Sequence, residues 1–267
     1  MRWGAGLLLA LSAAGCARPR RFVAPFRREP VPTVETLTVP FRGRAKSIET
    51  LWLQARVSVW QPLRPGRQHF LATVLIRPPD RLRLRAYRSA TILVFDLLAS
   101  GEEVRLHDAI GRLYYAADYE ALGRSGSPWA GLSPSLLFQA LAIEQTFLDR
   151  LASANSARVR RRWRTLELNL ETTDGRVRIA FDRAGQRIVA VTYRRTARER
   201  PIRVEYGETI KVEGVQLPRW AEIRHGPSRT RLRFDVSQYK INRSFGPEVF
   251  RLQAPASQPW LPLEMLR

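Results

Sequence analysis

Few residues of this 267-residue chain have the types and spacing that chemistry demands. Its three histidines, His69, His107 and His225, lie far apart and share no metal-ligand spacing. Neither an HExxH pair nor a GxxxxGKS/T phosphate loop occurs. Gly123-Arg124-Ser125-Gly126-Ser127 has the outline of a nucleophile elbow, but Ser127 stands where that turn requires glycine, so the stretch reads as a loop. Asp96, Glu102, Asp108 and Asp182 fall at expected turns or strand edges, where solvated acids are ordinary. The sequence thus predicts no catalytic residue, no metal site and no cofactor, and a protein that is not an enzyme. One cysteine, Cys16, excludes an internal disulfide framework and any cysteine-based zinc site.

What Cys16 can do depends on its neighbours. Met1-Arg2 is a short positive start, and Trp3 to Ala14 is apolar, with Leu7, Leu8, Leu9 and Leu11. Small residues, Ala13-Ala14-Gly15, then lead directly into Cys16. This is the layout of a secretory signal over residues 1–15, and it falls short of the ~20 apolar residues that span a bilayer. The junction resembles a bacterial lipobox, in which the cysteine takes a diacylglycerol thioether and becomes the mature N-terminus. Ala13 departs from that pattern, which usually has a larger aliphatic there. An ordinary signal peptide or signal anchor that happens to contain a cysteine is the competing reading. Lipidation at Cys16 would give firm attachment, since each buried methylene contributes about 0.8 kcal/mol. The resemblance further implies the periplasmic face of the outer membrane, because Ala17, not aspartate, follows the cysteine.

Residues 16–43 read as an extended tether. They contain Pro19, Pro25, Pro30, Pro32 and Pro40 among basic residues, with no helical or strand period. The net charge of +21 is almost all arginine, as only Lys46, Lys211 and Lys240 are lysines. Genomic codon preference would produce this, and so would attraction to an anionic surface, of phospholipid or nucleic acid. An exported chain meets no nucleic acid in ordinary service, so an anionic membrane surface is the expected partner.

From residue 44 to 267 the elements that could position a site come into view. A short helix is expected within Ala45 to Leu53, and period-two alternation dominates thereafter. Leu53, Ala55, Val57 and Val59 alternate with Gln54, Arg56, Ser58 and Trp60; Phe70, Ala72, Val74 and Ile76 fall on alternate positions; Leu82, Leu84 and Ala86 alternate with Arg81, Arg83, Arg85 and Tyr87. Further strands are expected at 91–98, 103–108, 112–116, 164–171, 176–182, 186–194, 201–206, 219–225 and 230–236. Ser133 to Leu151 interrupts them with helical spacing at Leu136, Leu137, Ala140, Leu141, Glu144 and Leu148. The fold class is therefore mainly β, a curved antiparallel sheet of about ten or eleven strands with helices inserted. A sheet that large must curl, and it either encloses an apolar cavity or fills it with its own side chains.

Three stretches resemble the LolA/LolB family of lipoprotein carriers and receptors: Leu53 to Val59, Phe70 to Ile76, and Pro79 to Leu84. A hairpin within Leu93 to Tyr115, the helical Ser133 to Leu151, and Gly214-Val215-Gln216-Leu217-Pro218 before Arg219 to Arg224 follow in the family's order. Asn242 to Pro255 is similar to the family's ending. The resemblance implies an unclosed β-barrel with a helical lid over a cavity for lipoprotein acyl chains. Its lining residues would be Phe70, Val74, Leu82, Leu84, Val94, Phe95, Leu136, Leu137 and Leu141. The lipid-anchored receptor LolB is the nearer member, which implies a monomer that takes cargo from a periplasmic LolA-like carrier and helps insert it in the outer membrane. That receptor carries a leucine on a protruding loop. The matching membrane-facing loop here is Arg88, Ser89 and Ala90, with Ser89 at the leucine's place, so its tip is polar. A structural or sensory envelope lipoprotein acting through protein contacts is the alternative.

Overall fold

The computed structural model describes residues 30–62, 64–101, 103–118 and 134–265. The expected signal peptide, Cys16, most of the expected tether, the Gly123–Ser127 loop and Ser133 lie outside the described residues. The strands are β1 (Leu51–Gln61), β2 (Arg64–Arg77), β3 (Arg81–Tyr87), β4 (Leu93–Ser100), β5 (Glu103–Asp108), β6 (Leu113–Asp118), β7 (Ser156–Arg161) and β8 (Leu166–Thr172). They continue with β9 (Gly175–Phe181), β10 (Ile188–Arg194), β11 (Ile202–Tyr206), β12 (Thr209–Val212), β13 (Val215–Pro218), β14 (Trp220–His225), β15 (Thr230–Ile241) and β16 (Leu261–Pro262). Fourteen of them form one open sheet, ordered β16-β6-β5-β4-β3-β2-β1-β15-β14-β11-β10-β9-β8-β7, and β12-β13 is a separate hairpin. Three α-helices are present among the described residues: α1 (Val34–Lys46), α2 (Pro134–Leu141) and α3 (Ile143–Ala152).

Alternation decides which face is buried. Leu53, Ala55 and Val57 of β1 sit opposite Val74, Ala72 and Phe70 of β2, and opposite Tyr239, Val236 and Phe234 of β15. Carried across the strands, this register gathers one apolar face that runs from Leu84 through Ile223 and Val204 to Leu168. The helices cover that face, so the expected mainly β, unclosed barrel with a helical lid is what the chain forms.

The expected tether over 16–43 is corrected in its last part. Val34–Lys46 is a helix, capped by the Thr33 hydroxyl accepting from the Thr36 N–H at 3.2 Å. Leu37, Phe41 and Ala45 recur every fourth residue, fall on one stripe and are all buried. Pro40 inside the helix lacks an N–H and removes one backbone bond. Burial of that stripe outweighs the loss. The short helix expected within Ala45 to Leu53 is therefore the end of α1 followed by the start of β1. The strand count is also corrected upward, from ten or eleven. The added strands are β7, which has no apolar alternation, and the short β12, β13 and β16.

The C-terminal segment binds both faces of the sheet. Phe250 and Leu252 pack with Leu75 and Leu98 on the outer face. There Asp96 accepts from both Arg83 (Nε, 2.9 Å) and Arg85 (3.1 Å), and Arg83 also donates to the Val249 carbonyl. The chain then rounds the edge, where β16 pairs in parallel with β6, and Leu263 is buried against Val104, Leu106 and Tyr115.

Candidate acyl-chain site

Helices α2 and α3 form the lid, and Ala142 separates them with a non-helical ψ of 52°. On their sheet-facing side Leu136, Leu137, Ala140, Leu141 and Phe147 are buried. Of the residues expected to line a cavity, Val74, Leu82, Leu84, Leu136, Leu137 and Leu141 belong to one continuous buried cluster, with Phe70 and Phe95 packed partly buried against it. Phe70 and Phe95 meet edge to face at 6.5 Å. Val94 is not part of the cluster. It is out of step with the inward Phe95 and Leu97, and it sits at the bulge where β4 slips register on β3, between the Ala86–Phe95 and Tyr87–Leu93 pairs.

The clustered side chains pack against one another between sheet and lid. Among the described residues, small hollows lie at the base of the lid, one of about 20 Å³ beside Phe41, Arg44 and Glu144 and one of about 30 Å³ beside Ile48, Leu141 and Leu217. Each has room for one or about two waters. Phe147, Leu136 and Leu137 are buried in the same cluster as the sheet residues beneath them.

Both hollows touch Glu144, the residue the apolar pattern passed over. Arg44 of α1 donates its Nε–H to Glu144 Oε1 at 2.6 Å and a second N–H to the Gln186 carbonyl at 3.0 Å. Glu144 Oε2 is buried without a hydrogen bond. Burial pushes the Glu144 carboxyl up to about 7, against the pull of the Arg44 guanidinium. A glutamate on the apolar stripe of a helix was the sequence signal for this site. Its partner, Arg44, is the first residue past the expected tether, on a helix the sequence reading did not extend back that far. Among the described residues there is no cluster of acids, histidines or cysteines that could hold a metal.

The loop Arg88, Ser89, Ala90 is exposed and is closed by the Arg88 N–H donating to the Ile92 carbonyl at 2.9 Å. Beside its polar tip the structure exposes apolar groups that the sequence reading overlooked: Ile92, and Ile110 on the β5–β6 turn. A groove of about 630 Å³, lined in part by Leu71, Tyr87 and Ala90, adjoins the loop.

No protein-family model and no curated protein sequence matches the chain. Solved structures do. A DUF1329 family protein from Desulfovibrio piger superposes with a TM-score of 0.60 at 10% identity, over 81% of this chain and 95% of that one. A LolA superfamily protein from Nitrosomonas europaea gives 0.54 at 10% identity, over 83% and 98%. A domain assigned to outer-membrane lipoprotein sorting, from Vibrio parahaemolyticus, gives 0.54 at 9%, over 82% and 97%. The chain therefore has the LolA-like fold, an open β-barrel under a helical lid.

Proposed function

We propose that this protein is an exported, lipid-anchored protein of the cell envelope that takes up the acyl chains of lipoproteins beneath its lid and passes them on without covalent chemistry. It would be anchored through Cys16 at the periplasmic face of the outer membrane, receive its cargo from a soluble carrier of the same fold, and deliver it through the loop at Arg88, Ser89 and Ala90. The observation that carries this reading is the construction of the lid. Two short helices with a break at Ala142 lie on one continuous apolar face, and the Arg44–Glu144 ion pair ties α3 to α1 across the lid's base.

Displacing α2 and α3 would uncover Val74, Leu82, Leu84 and their neighbours, and an acyl chain would replace Leu136, Leu137 and Leu141 against them. The exchange swaps one hydrocarbon contact for another, so the net gain is small and the cargo can leave. The fold of the Vibrio parahaemolyticus domain supports this reading, as does the lipobox-like junction at Cys16. No helix among the described residues is long and apolar enough to cross a membrane.

A titration with a fluorescent palmitoylated lipopeptide tests the proposal. The unacylated Cys16→Ser protein should bind the lipopeptide and not its unacylated counterpart, and Leu84→Glu should weaken binding while the fold persists by circular dichroism. Equal affinity for the two peptides would sink it.

A further inference from the structure

The most exposed large apolar residue among those described is Trp163, at 84%. It sits at the tip of the β7–β8 hairpin, in a turn closed by the Arg162 N–H donating to the Thr165 carbonyl at 2.8 Å. The two strands that hold the tip pair without a slip from Ser156–Glu171 to Arg161–Leu166. The indole is thus held out on a regular ladder, with no neighbour required for its position. A tryptophan in that setting gains nothing from folding.

Its surroundings show what would cover it. From Arg158 to Leu166 the chain has five arginines and no acid. Arg158 and Arg160 are exposed on β7, and Arg162 and Arg164 flank the tryptophan. Arg162 shares part of its charge with Glu167 at 3.2 Å, an exposed pair that neutralises little. An indole, apolar in body with one N–H, placed among guanidinium groups matches the headgroup layer of an anionic bilayer. Each arginine near such a surface adds attraction of its own.

The path of the chain points the same way. Helix α1 packs against β7. Leu37, one turn into α1, lies over Gly185 beside Leu166, the residue paired with Arg161 at the tip end of the hairpin. The chain thus enters the folded unit next to this hairpin. Only the fourteen positions from Ala17 to Pro30 separate the candidate lipid anchor from that entry.

We infer that the Arg160–Arg164 tip is a membrane-docking element, with Trp163 seated in the interface and its flanking arginines on lipid phosphates, which holds the body of the protein against an anionic leaflet. This goes beyond cargo binding and does not depend on it. Flotation of the Cys16→Ser protein with phosphatidylethanolamine/phosphatidylglycerol vesicles, against phosphatidylcholine vesicles, measures docking without the anchor. Binding should require phosphatidylglycerol, and brominated lipid should quench tryptophan emission in the parent but not in Trp163→Ala. Arg160→Gln and Arg164→Gln should each lower partitioning about fivefold, with thermal melting unchanged because the side chains are exposed. Lipopeptide titration of Trp163→Ala should match the parent, which separates failure of docking from failure of the acyl site. Docking that survives Trp163→Ala, binding indifferent to lipid charge, or loss through Arg88→Gln in its place would each overturn the assignment.

Discussion

At the scale of single residues, Glu144 is the group whose environment most changes its behaviour. Its carboxyl titrates near 4.5 in the unfolded chain and near 7 in the folded one, burial being the main cause. Between those values the folded state holds a proton that the unfolded state has released. This contribution to stability is therefore present below about pH 4.5 and is lost as pH rises through 7. The difference corresponds to on the order of 3 kcal/mol. Unfolding in urea at pH 5.5 and pH 8 should show the parent weaker at the higher pH, and Glu144→Gln should flatten that dependence. An identical pH slope in both proteins would place the titrating group elsewhere. The same charge state bears on the lid, since the ionised carboxylate pairs with Arg44 while its second oxygen stays without a partner.

At the scale of elements, α1 separates what the sequence displays from what it conceals. Phe41 is 1% exposed and meets Phe147 and Phe181 edge to face at 5.1 and 5.5 Å. Phe41→Ala should cost about 3–5 kcal/mol by chemical denaturation. A residue in a solvated tether would cost nothing, so the measurement decides between the two descriptions. The strands with apolar alternation, such as β1, β2, β3, β8 and β9, were legible because one face of each is buried. The lid helices were legible from Leu136, Leu137, Ala140 and Leu141. Helix α1 was not, because Pro40 and the proline-rich residues before it mask a stripe of three residues at helical spacing. Strand β7 was missed for another reason. As an edge strand with exposed arginines it buries little, and its pairing comes from β8 rather than from its own side chains. The residues of the buried face beneath the lid were mostly legible as a set, because alternation assigns a face. Whether that face is hollow was not, because packing against the lid depends on side chains far apart in sequence.

At the scale of the whole molecule, an open sheet must manage two edges, and this one treats them differently. On β7, Arg158 and Arg160 are exposed and oppose pairing with another strand through like-charge repulsion. On β6, which is less basic, the chain supplies its own cover. Leu261 and Pro262 pair alongside Tyr115 and Ala116, and Leu263 fills the space over Val104 and Leu106. A segment that crosses the outer face with Phe250 and Leu252 before turning inward also joins the two faces of the sheet at that edge. Ending the chain after Ser257 would remove the edge cover and Leu263 while leaving Phe250 and Leu252 in place. Val104, Leu106 and Tyr115 would lose their buried neighbour, and the backbone groups of β6 would open to pairing. The truncated protein should melt lower and form dimers or larger species through β6, seen by light scattering on a sizing column. Leu263→Ala, which keeps the strand pairing, should lose about 2–5 kcal/mol and stay monomeric. If the truncated chain also stays monomeric with unchanged stability, the C-terminal strand is not what protects this edge.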